Sequence, residues 1–290
     1  MSLPLFSILV ANYNNGKHFQ DCFDSLLSQS YQNFEVIIID DCSTDNSVKT
    51  IEKMIEKDSR FKLWTNEKNK GCGYTKNRCV MLAQGEICGF LDPDDAITSN
   101  AIEIMVNEHN NNPKCSVIYS NFLFCDEKLN TISANKTHQV VNGKTDFYNF
   151  EGSISHFASF KKELYSKTSG INKNLMRAVD QDLYLKLYDI APVKHIEKEL
   201  YLYRIHEGGI STNLNAEKAF YWHWIVIQDR CNRLGINPEN IFLEIFTRKK
   251  YEEKRTQEIA YLKSKITKVK KSKWMKMGAF LGLFKNYKDL

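Results

Sequence analysis

Short apolar runs alternate with helical stripes through the first 110 residues, and three of those runs end abruptly in Asn or Asp. Ser7-Ile-Leu-Val-Ala11 closes in Asn12-Tyr-Asn-Asn-Gly16, which reads as a strand entering a polar loop. Phe19, Cys22, Phe23, Leu26 and Leu27 then fall at the spacing of a helix laid on a sheet. Val36-Ile-Ile-Ile39 is apolar on both faces, as a central parallel strand must be, and it stops at Asp40-Asp41. Capping residues in Ser43-Thr-Asp-Asn-Ser47 lead to a second helix with Val48, Ile51 and Ile55 in register. The pattern repeats with a strand at Phe61–Trp64, a helix at Tyr74–Ala83 and a strand at Glu86–Leu91. A last helix opens at Asn100-x-x-Glu103, the spacing of a capping box, with Ile102, Met105 and Val106 inward. Such alternation specifies an α/β fold with a doubly wound, Rossmann-like sheet.

Ligands of such sheets bind outside the carboxyl ends of the strands. Asp is a poor strand former and costly to bury, so acidic strand ends carry information. Asp40 and Asp41 could simply cap the helix that follows them. Asp92-Pro-Asp94-Asp95 fits that explanation less well, because three carboxylates in four residues repel one another unless a cation offsets them. Oxygen ligands without CxxC pairs or clustered His point to Mg²⁺ or Mn²⁺ rather than zinc. No G-x-G-x-x-G follows the first strand and no G-x-x-x-x-G-K-S/T occurs, which disfavours dinucleotide dehydrogenases and P-loop NTPases. The eight cysteines form no CxxC pair, and several lie in apolar segments, so reduced and mostly buried thiols are expected. The opening Met-Ser-Leu-Pro-Leu-Phe has neither the basic nor the long apolar stretch of a secretory leader, and cytoplasmic residence is expected.

Taken together, Ser7-Ile-Leu-Val-Ala-Asn-Tyr-Asn14, Leu26-Leu-Ser-Gln-Ser-Tyr-Gln-Asn-Phe-Glu35, Ile38-Ile-Asp-Asp-Cys-Ser-Thr-Asp45, Asn69-Lys-Gly71, Lys76-Asn77 and Phe90-Leu-Asp-Pro-Asp-Asp95 closely resemble the family 2 glycosyltransferases of GT-A fold. Asp180-Gln-Asp-Leu-Tyr-Leu-Lys-Leu187 and Tyr203-Arg-Ile-His-Glu-Gly-Gly-Ile-Ser211 look like two later motifs of that family. The resemblance covers roughly residues 4–214 and implies an inverting, metal-dependent transfer from a nucleoside diphosphate sugar, with a UDP-sugar as the expected donor. It places the nucleobase on Ala11, Tyr13 and Asp41, the ribose on Asp92, and the Mn²⁺ or Mg²⁺ of the diphosphate on Asp94. Lys76 and Asn77 would lie near the donor, and Asp95 would support the site. Asp180 matches the general base, and His206, with Arg204 beside it, matches a residue on the diphosphate or metal side. Three positions depart from the family: Val179 for Glu, Lys186 for Arg, and Ala11 where a hydroxyl residue is frequent. Without that context, Asp180 could be a helix cap and His206 an ordinary loop histidine. The chemistry is coherent in its own right, since inversion is one displacement that needs one base and stabilisation of the departing diphosphate.

Two regions are expected: a GT-A domain over residues 1–214 and a helical, basic extension over 215–290. The first holds 23 Lys+Arg against 27 Asp+Glu, the second 17 against 8. The polar stretch Lys128–Glu151 is expected to shape the acceptor site, and His156–Phe160 to return to the sheet as a strand. Ala219–Leu234 reads as a buried helix, followed by a turn at Gly235–Pro238 and a further helix from Glu239. In the extension, Ile259, Leu262, Ile266 and Val269 recur at 3-4-3 spacing among lysines, and Trp274–Phe284 adds bulky apolar residues. That pattern suits a helix lying on an anionic membrane surface, or one packing on its own or a sister chain as a homodimer. Nucleic acid is disfavoured because no nucleic-acid-binding motif accompanies the basic patch. The expected acceptor is a glycan or lipid-linked hydroxyl in surface polysaccharide assembly. The rival readings are a nucleotidyltransferase of similar fold, or a silent sugar-nucleotide or glycan-binding scaffold, for which a retained base would be superfluous.

Overall fold

A computed structural model of the chain describes residues 3–206, 215–243 and 248–271. The described chain divides into two compact units, residues 1–230 and 231–290.

In the first unit, strands β1 (Phe6–Asn12), β2 (Phe34–Asp40), β3 (Phe61–Thr65) and β4 (Ile87–Phe90) are parallel in the order β3-β2-β1-β4. Helices α1 (Phe19–Leu27), α2 (Ser47–Ile55) and α3 (Cys72–Leu82) connect them. The sheet then continues as a mixed one. Strand β8 (Ala158–Lys161) runs antiparallel between β4 and β6 (Val117–Cys125), and β6 pairs in parallel with β9 (Val193–Arg204). The two-residue β5 (Ala96–Ile97) pairs with β9, and β7 (Thr131–Asn135) pairs with β6. The run Val36–Ile39 is apolar throughout because each sheet face carries a core. Val36 and Ile38 pack with α1 and α4 (Ala101–Asn111), whereas Ile37 and Ile39 pack with α3 and α6 (Val179–Tyr188).

Local expectations needed several corrections. Leu27 is exposed, so the inward stripe of α1 is Phe19, Cys22, Phe23 and Leu26. Neither expected cap forms: Asn100 makes no side-chain cap bond, and Glu103 instead accepts from the Ser30 hydroxyl. Before α2, the Ser47 hydroxyl accepts from the Gly16 N–H, tying the helix start to the loop after β1. Strand β9 carries no clean alternation in sequence because register shifts break its pairing with β6. Part of the polar stretch after Lys128 is ordered as β7. All eight cysteines are free, and five of them are buried.

After β9, α7 (Ala216–Leu234) buries one face rather than its whole surface: Val226 and Ile227 are inside, while Phe220 and Tyr221 are exposed. Arg230, 1% exposed, is its anchor in the first unit. Its guanidinium donates to Asp189 Oδ1 at 2.7 and 2.9 Å and to the carbonyls of Lys144, Thr145 and Phe147. The second unit holds the short α8 (Pro238–Ile241), capped by Asn237, and α9 (Arg248–Lys271), on which Ile259, Leu262, Ile266 and Val269 are all exposed. Among the described residues no helix is long and apolar enough to cross a membrane. Ser211 and the apolar stretch Trp274–Phe284 lie outside the described residues.

The buried Arg230–Asp189 pair makes a stability prediction. Arg230→Met should lower unfolding free energy by about 3–5 kcal/mol, because it removes the buried cation that pairs with Asp189 and satisfies three backbone carbonyls. Urea denaturation should show Arg230→Met/Asp189→Leu recovering part of that loss, and an unchanged midpoint for the single variant would contradict the assignment.

Candidate active site

The carboxyl ends of β1, β2 and β4 and the start of α6 open on one cavity of about 620 Å³. Ala11, Tyr13 and Asp41 line one part of it, and the Tyr13 ring is 46% exposed. The two carboxylates that end β2 have different work. Asp40 accepts from Asn12 Nδ2 at 2.7 Å and from the hydroxyl and N–H of Ser43, which closes the turn after the strand. Asp41 reaches the next loop instead, accepting from Asn66 Nδ2 at 2.7 Å and from the N–H groups of Lys70 and Gly71 at 2.8 Å. Neither bonds to α2.

Gly71 has φ +87°, a left-handed conformation that favours glycine. At Gly73 the constraint is close approach. A Cβ there would stand 2.5 Å from the Asn172 carbonyl and 2.6 Å from that of Leu175. This contact lets α3 lie against the segment leading into α6, so that Lys76 on α3 meets Asp180 on α6, 104 residues away in sequence.

The Lys76 ammonium is 2.8 Å from Asp180 Oδ1 and 3.4 Å from Asp92 Oδ1, and it lies over the Phe90 ring. Burial disfavours its charge, but Asp180 and Asp92 outweigh burial and hold Lys76 well above the usual ammonium range. Conversely, burial pushes the Asp180 carboxyl up, but Lys76 foremost, with His156 and a backbone hydrogen bond, holds the group below the usual carboxylate range. Asp180 is in the first turn of α6, where the helix dipole also favours a negative charge, and its side chain keeps 25% exposure. The preceding Ala178 adopts φ +55°, a strained backbone that turns the chain into α6.

The three carboxylates after β4 are separated by environment. Asp95 is buried, accepting from the Tyr201 hydroxyl and the Arg204 N–H at 2.7 Å each. Burial, then Asp94 and Asp92, push its carboxyl well above the usual range. Asp94 is held below that range: burial raises it, but the hydrogen bond to His206 Nε2 at 2.7 Å, a backbone hydrogen bond and the charges of His206 and His18 together prevail. Arg204 lines the cavity with its guanidinium committed to protein, donating to the Asp94 and Glu127 carbonyls and to Asp21 Oδ2. The ring of His18 lies 5.0 Å from that of His206, and its buried Nε2 has no partner. Burial, then Arg204, depress the His18 pKa, so the ring is neutral at pH 7.

Every residue expected at the site lines this cavity except Asn77, whose amide is turned away to the Tyr165 hydroxyl and the Ile171 carbonyl. Lys186, on the same helix as Asp180, is spent on a buried pair with Asp182 and on the Gly170 carbonyl. Among the described residues, no three His, Cys, Asp or Glu side chains are arranged around a common metal position. Asp94 and His206 are therefore the protein's two converging candidates. Sequence reasoning missed Ser155, His156, Gln181, Tyr184, Phe220 and His223, which also line the cavity. Gln181 and Tyr184 lie in the motif around Asp180 without an assigned role, no motif marks the other four, and Tyr201, which steadies Asp95, reads in sequence as one strand aromatic among several.

Comparison with known proteins gives a consistent picture. The profile of glycosyl transferase family 2 matches residues 7–169. A chondroitin synthase of Escherichia coli is 31% identical over 240 residues, covering 81% of this chain and 34% of that protein. A hyaluronan synthase of Pasteurella multocida is 30% identical over 256 residues, covering 82% of this chain and 24% of that protein. The chain thus spans 34% and 24% of the length of these two relatives. Among solved structures, residues 1–349 of Staphylococcus aureus TarS in complex with UDP-GlcNAc align with a TM-score of 0.62 at 22% identity, over 76% of this chain and 65% of that one. The mannosyltransferase PcManGT of Pyrobaculum calidifontis, in complex with GDP-Man and Mn²⁺, aligns with a TM-score of 0.62 at 18% identity, over 99% of this chain and 82% of that one. At these identities the structural likeness is one of fold.

The charge arrangement around Lys76 can be tested directly. In Lys76→Met, the largest contribution opposing burial at Asp180 is removed, so its apparent pKa should rise. Carboxyl-carbon NMR titration would show this. A titration unchanged from wild type would remove Lys76 as the controlling charge.

Proposed function

Because the chain belongs to glycosyl transferase family 2, we propose that it moves one sugar from a UDP-sugar to a hydroxyl of a glycan or lipid-linked acceptor, with inversion at the anomeric carbon. One observation carries this reading: Asp92 and Asp94 at the end of β4 and Asp180 at the start of α6 face a single cavity, with Lys76 between Asp92 and Asp180. UDP-GlcNAc in TarS supports the choice of donor, and the chondroitin and hyaluronan synthases support a role in surface polysaccharide assembly.

In the proposed reaction the acceptor hydroxyl gives its proton to the Asp180 carboxylate and its oxygen forms the new bond to the anomeric carbon. The bond from that carbon to the diphosphate breaks, and UDP leaves with the electron pair. Lys76 keeps Asp180 ionised and so ready to take the proton. Tyr13 offers a stacking face to the base. Asp41 has three protein donors and keeps acceptor capacity for a base N–H. Ala11 would contact the base, and Asp92 would contact the ribose. Arg204 acts through its hold on the Asp94 carbonyl, and Asn77 acts by fixing α3.

Asp94 and His206 would hold a Mn²⁺ or Mg²⁺. One ionised carboxylate and one imidazole suit such an ion when diphosphate oxygens and water complete its shell. A cation there would offset the charge developing on the departing diphosphate.

The exposed stripe and lysines of α9 suit an anionic lipid surface, which would put the enzyme on the cytoplasmic face of a membrane. Cosedimentation with vesicles containing phosphatidylglycerol should fall as salt is raised, and no cosedimentation at low salt would remove this assignment.

Thermal melting and turnover test the site together. UDP with Mn²⁺ at 100 times its dissociation constant should add about 2.7 kcal/mol of stability. The shift should persist in Asp180→Asn, whose kcat should fall about 10²–10⁴-fold, and disappear in Asp94→Asn. An Asp180→Asn variant with wild-type turnover, or a wild type that does not respond to UDP, would overturn the proposal.

A further inference from the structure

The nucleotide and the base do not account for the whole cavity. Its lining continues past Asp180 to Ser155 and His156 before β8, to Gln181 beside the base, and to Phe220 and His223 on α7. This helix lies beyond the 7–169 span of the family profile.

Three observations define what this lining can hold. The Ser155 hydroxyl is buried and has no hydrogen-bond partner in the chain, an arrangement that costs free energy unless something else satisfies it. The His156 ring is held in place by stacking on Tyr201, centroids 4.8 Å apart, and it lines the same cavity as Asp180. Phe220 lines the cavity while remaining 38% exposed, so a large aromatic side chain on α7 borders it. An aromatic face with neighbouring hydroxyl and imidazole groups matches a pyranose ring, which presents C–H bonds on one face and hydroxyls around its edge. In-line displacement adds a geometric requirement. The incoming hydroxyl must approach from the side away from the diphosphate and lie within reach of Asp180.

We infer that Ser155, His156 and Phe220 form the acceptor subsite, and that it takes the terminal hexopyranoside of a carbohydrate acceptor. Phe220 stacks on the sugar's apolar face, and Ser155 and His156 hydrogen-bond its hydroxyls. Gln181 helps to hold the wall in place, accepting from Asn149 Nδ2 at 2.7 Å. The inference rests on the glycosyltransferase reading of the cavity, so its test monitors the donor separately.

Saturation-transfer difference NMR on the full chain with UDP, Mn²⁺ and the methyl β-glycosides of glucose, galactose, N-acetylglucosamine, N-acetylgalactosamine and glucuronic acid provides that test. At least one glycoside should receive saturation from the wild type. Its signal should fall at least fivefold in Phe220→Ala and in Ser155→Ala, while the UDP signal persists in both and shows that they are folded. A glycoside signal equal to wild type in both variants would overturn the inference, as would a wild type that binds UDP but none of the glycosides. Loss of UDP binding by the wild type would instead overturn the donor-site reading, and this inference with it.

Discussion

The Lys76 ammonium, buried between Asp92 and Asp180, is the interaction on which the rest of the site depends. Two carboxylates facing one cavity would repel each other and rise in pKa as water is excluded. One buried cation reverses that for Asp180, leaving it ionised beside the place where a hydroxyl must lose a proton. The same pair joins α3 to α6 across a long stretch of chain. The close approach behind it is made possible by Gly73, where any side chain would strike the carbonyls of Asn172 and Leu175. Packing, electrostatics and placement of the base are therefore one structural problem with one solution.

A second network divides labour among the acidic residues after β4. Asp95 is buried at the cavity wall and held by Tyr201 and the Arg204 backbone, and burial pushes its carboxyl up. Asp94 remains ionised against His206. Because Tyr201 and Arg204 both belong to β9, the turn that follows one strand is braced by another more than a hundred residues later. Tyr201 also stacks on His156, so the brace reaches the proposed acceptor wall. Arg230 does comparable work for α7, satisfying Asp189 and three carbonyls so that the helix can present Phe220 and His223 to the cavity.

Much of this was legible in the chain itself, and the exceptions follow physical lines. The parallel β3-β2-β1-β4 region could be read because Val36–Ile39 and its neighbours bury both faces, which leaves continuous apolar runs. Strand β9 could not, because bulged pairing disrupts the alternation that would announce it. The capping box at Asn100 and Glu103 was a local pattern overridden by tertiary contact, since Ser30 supplies the partner that Glu103 uses. Asn77 stands next to Lys76 in sequence, yet one step around a helix turns it to the other side, toward Tyr165.

The sequence by itself determined the fold class, the family and the residue types at the strand ends, because apolar periodicity and short acidic motifs are local properties of a chain. Only the tertiary structure decided which carboxylate is buried, which stays charged and which groups share the cavity. Those outcomes depend on distances and dielectric between residues far apart in sequence, as between Lys76 and Asp180 or Asp95 and Arg204. The wall carrying Ser155, His156 and Phe220 is likewise a product of folding, since no spacing links Phe220 to the adjacent Ser155 and His156, whose cavity it shares only because α7 returns to the sheet's ligand end.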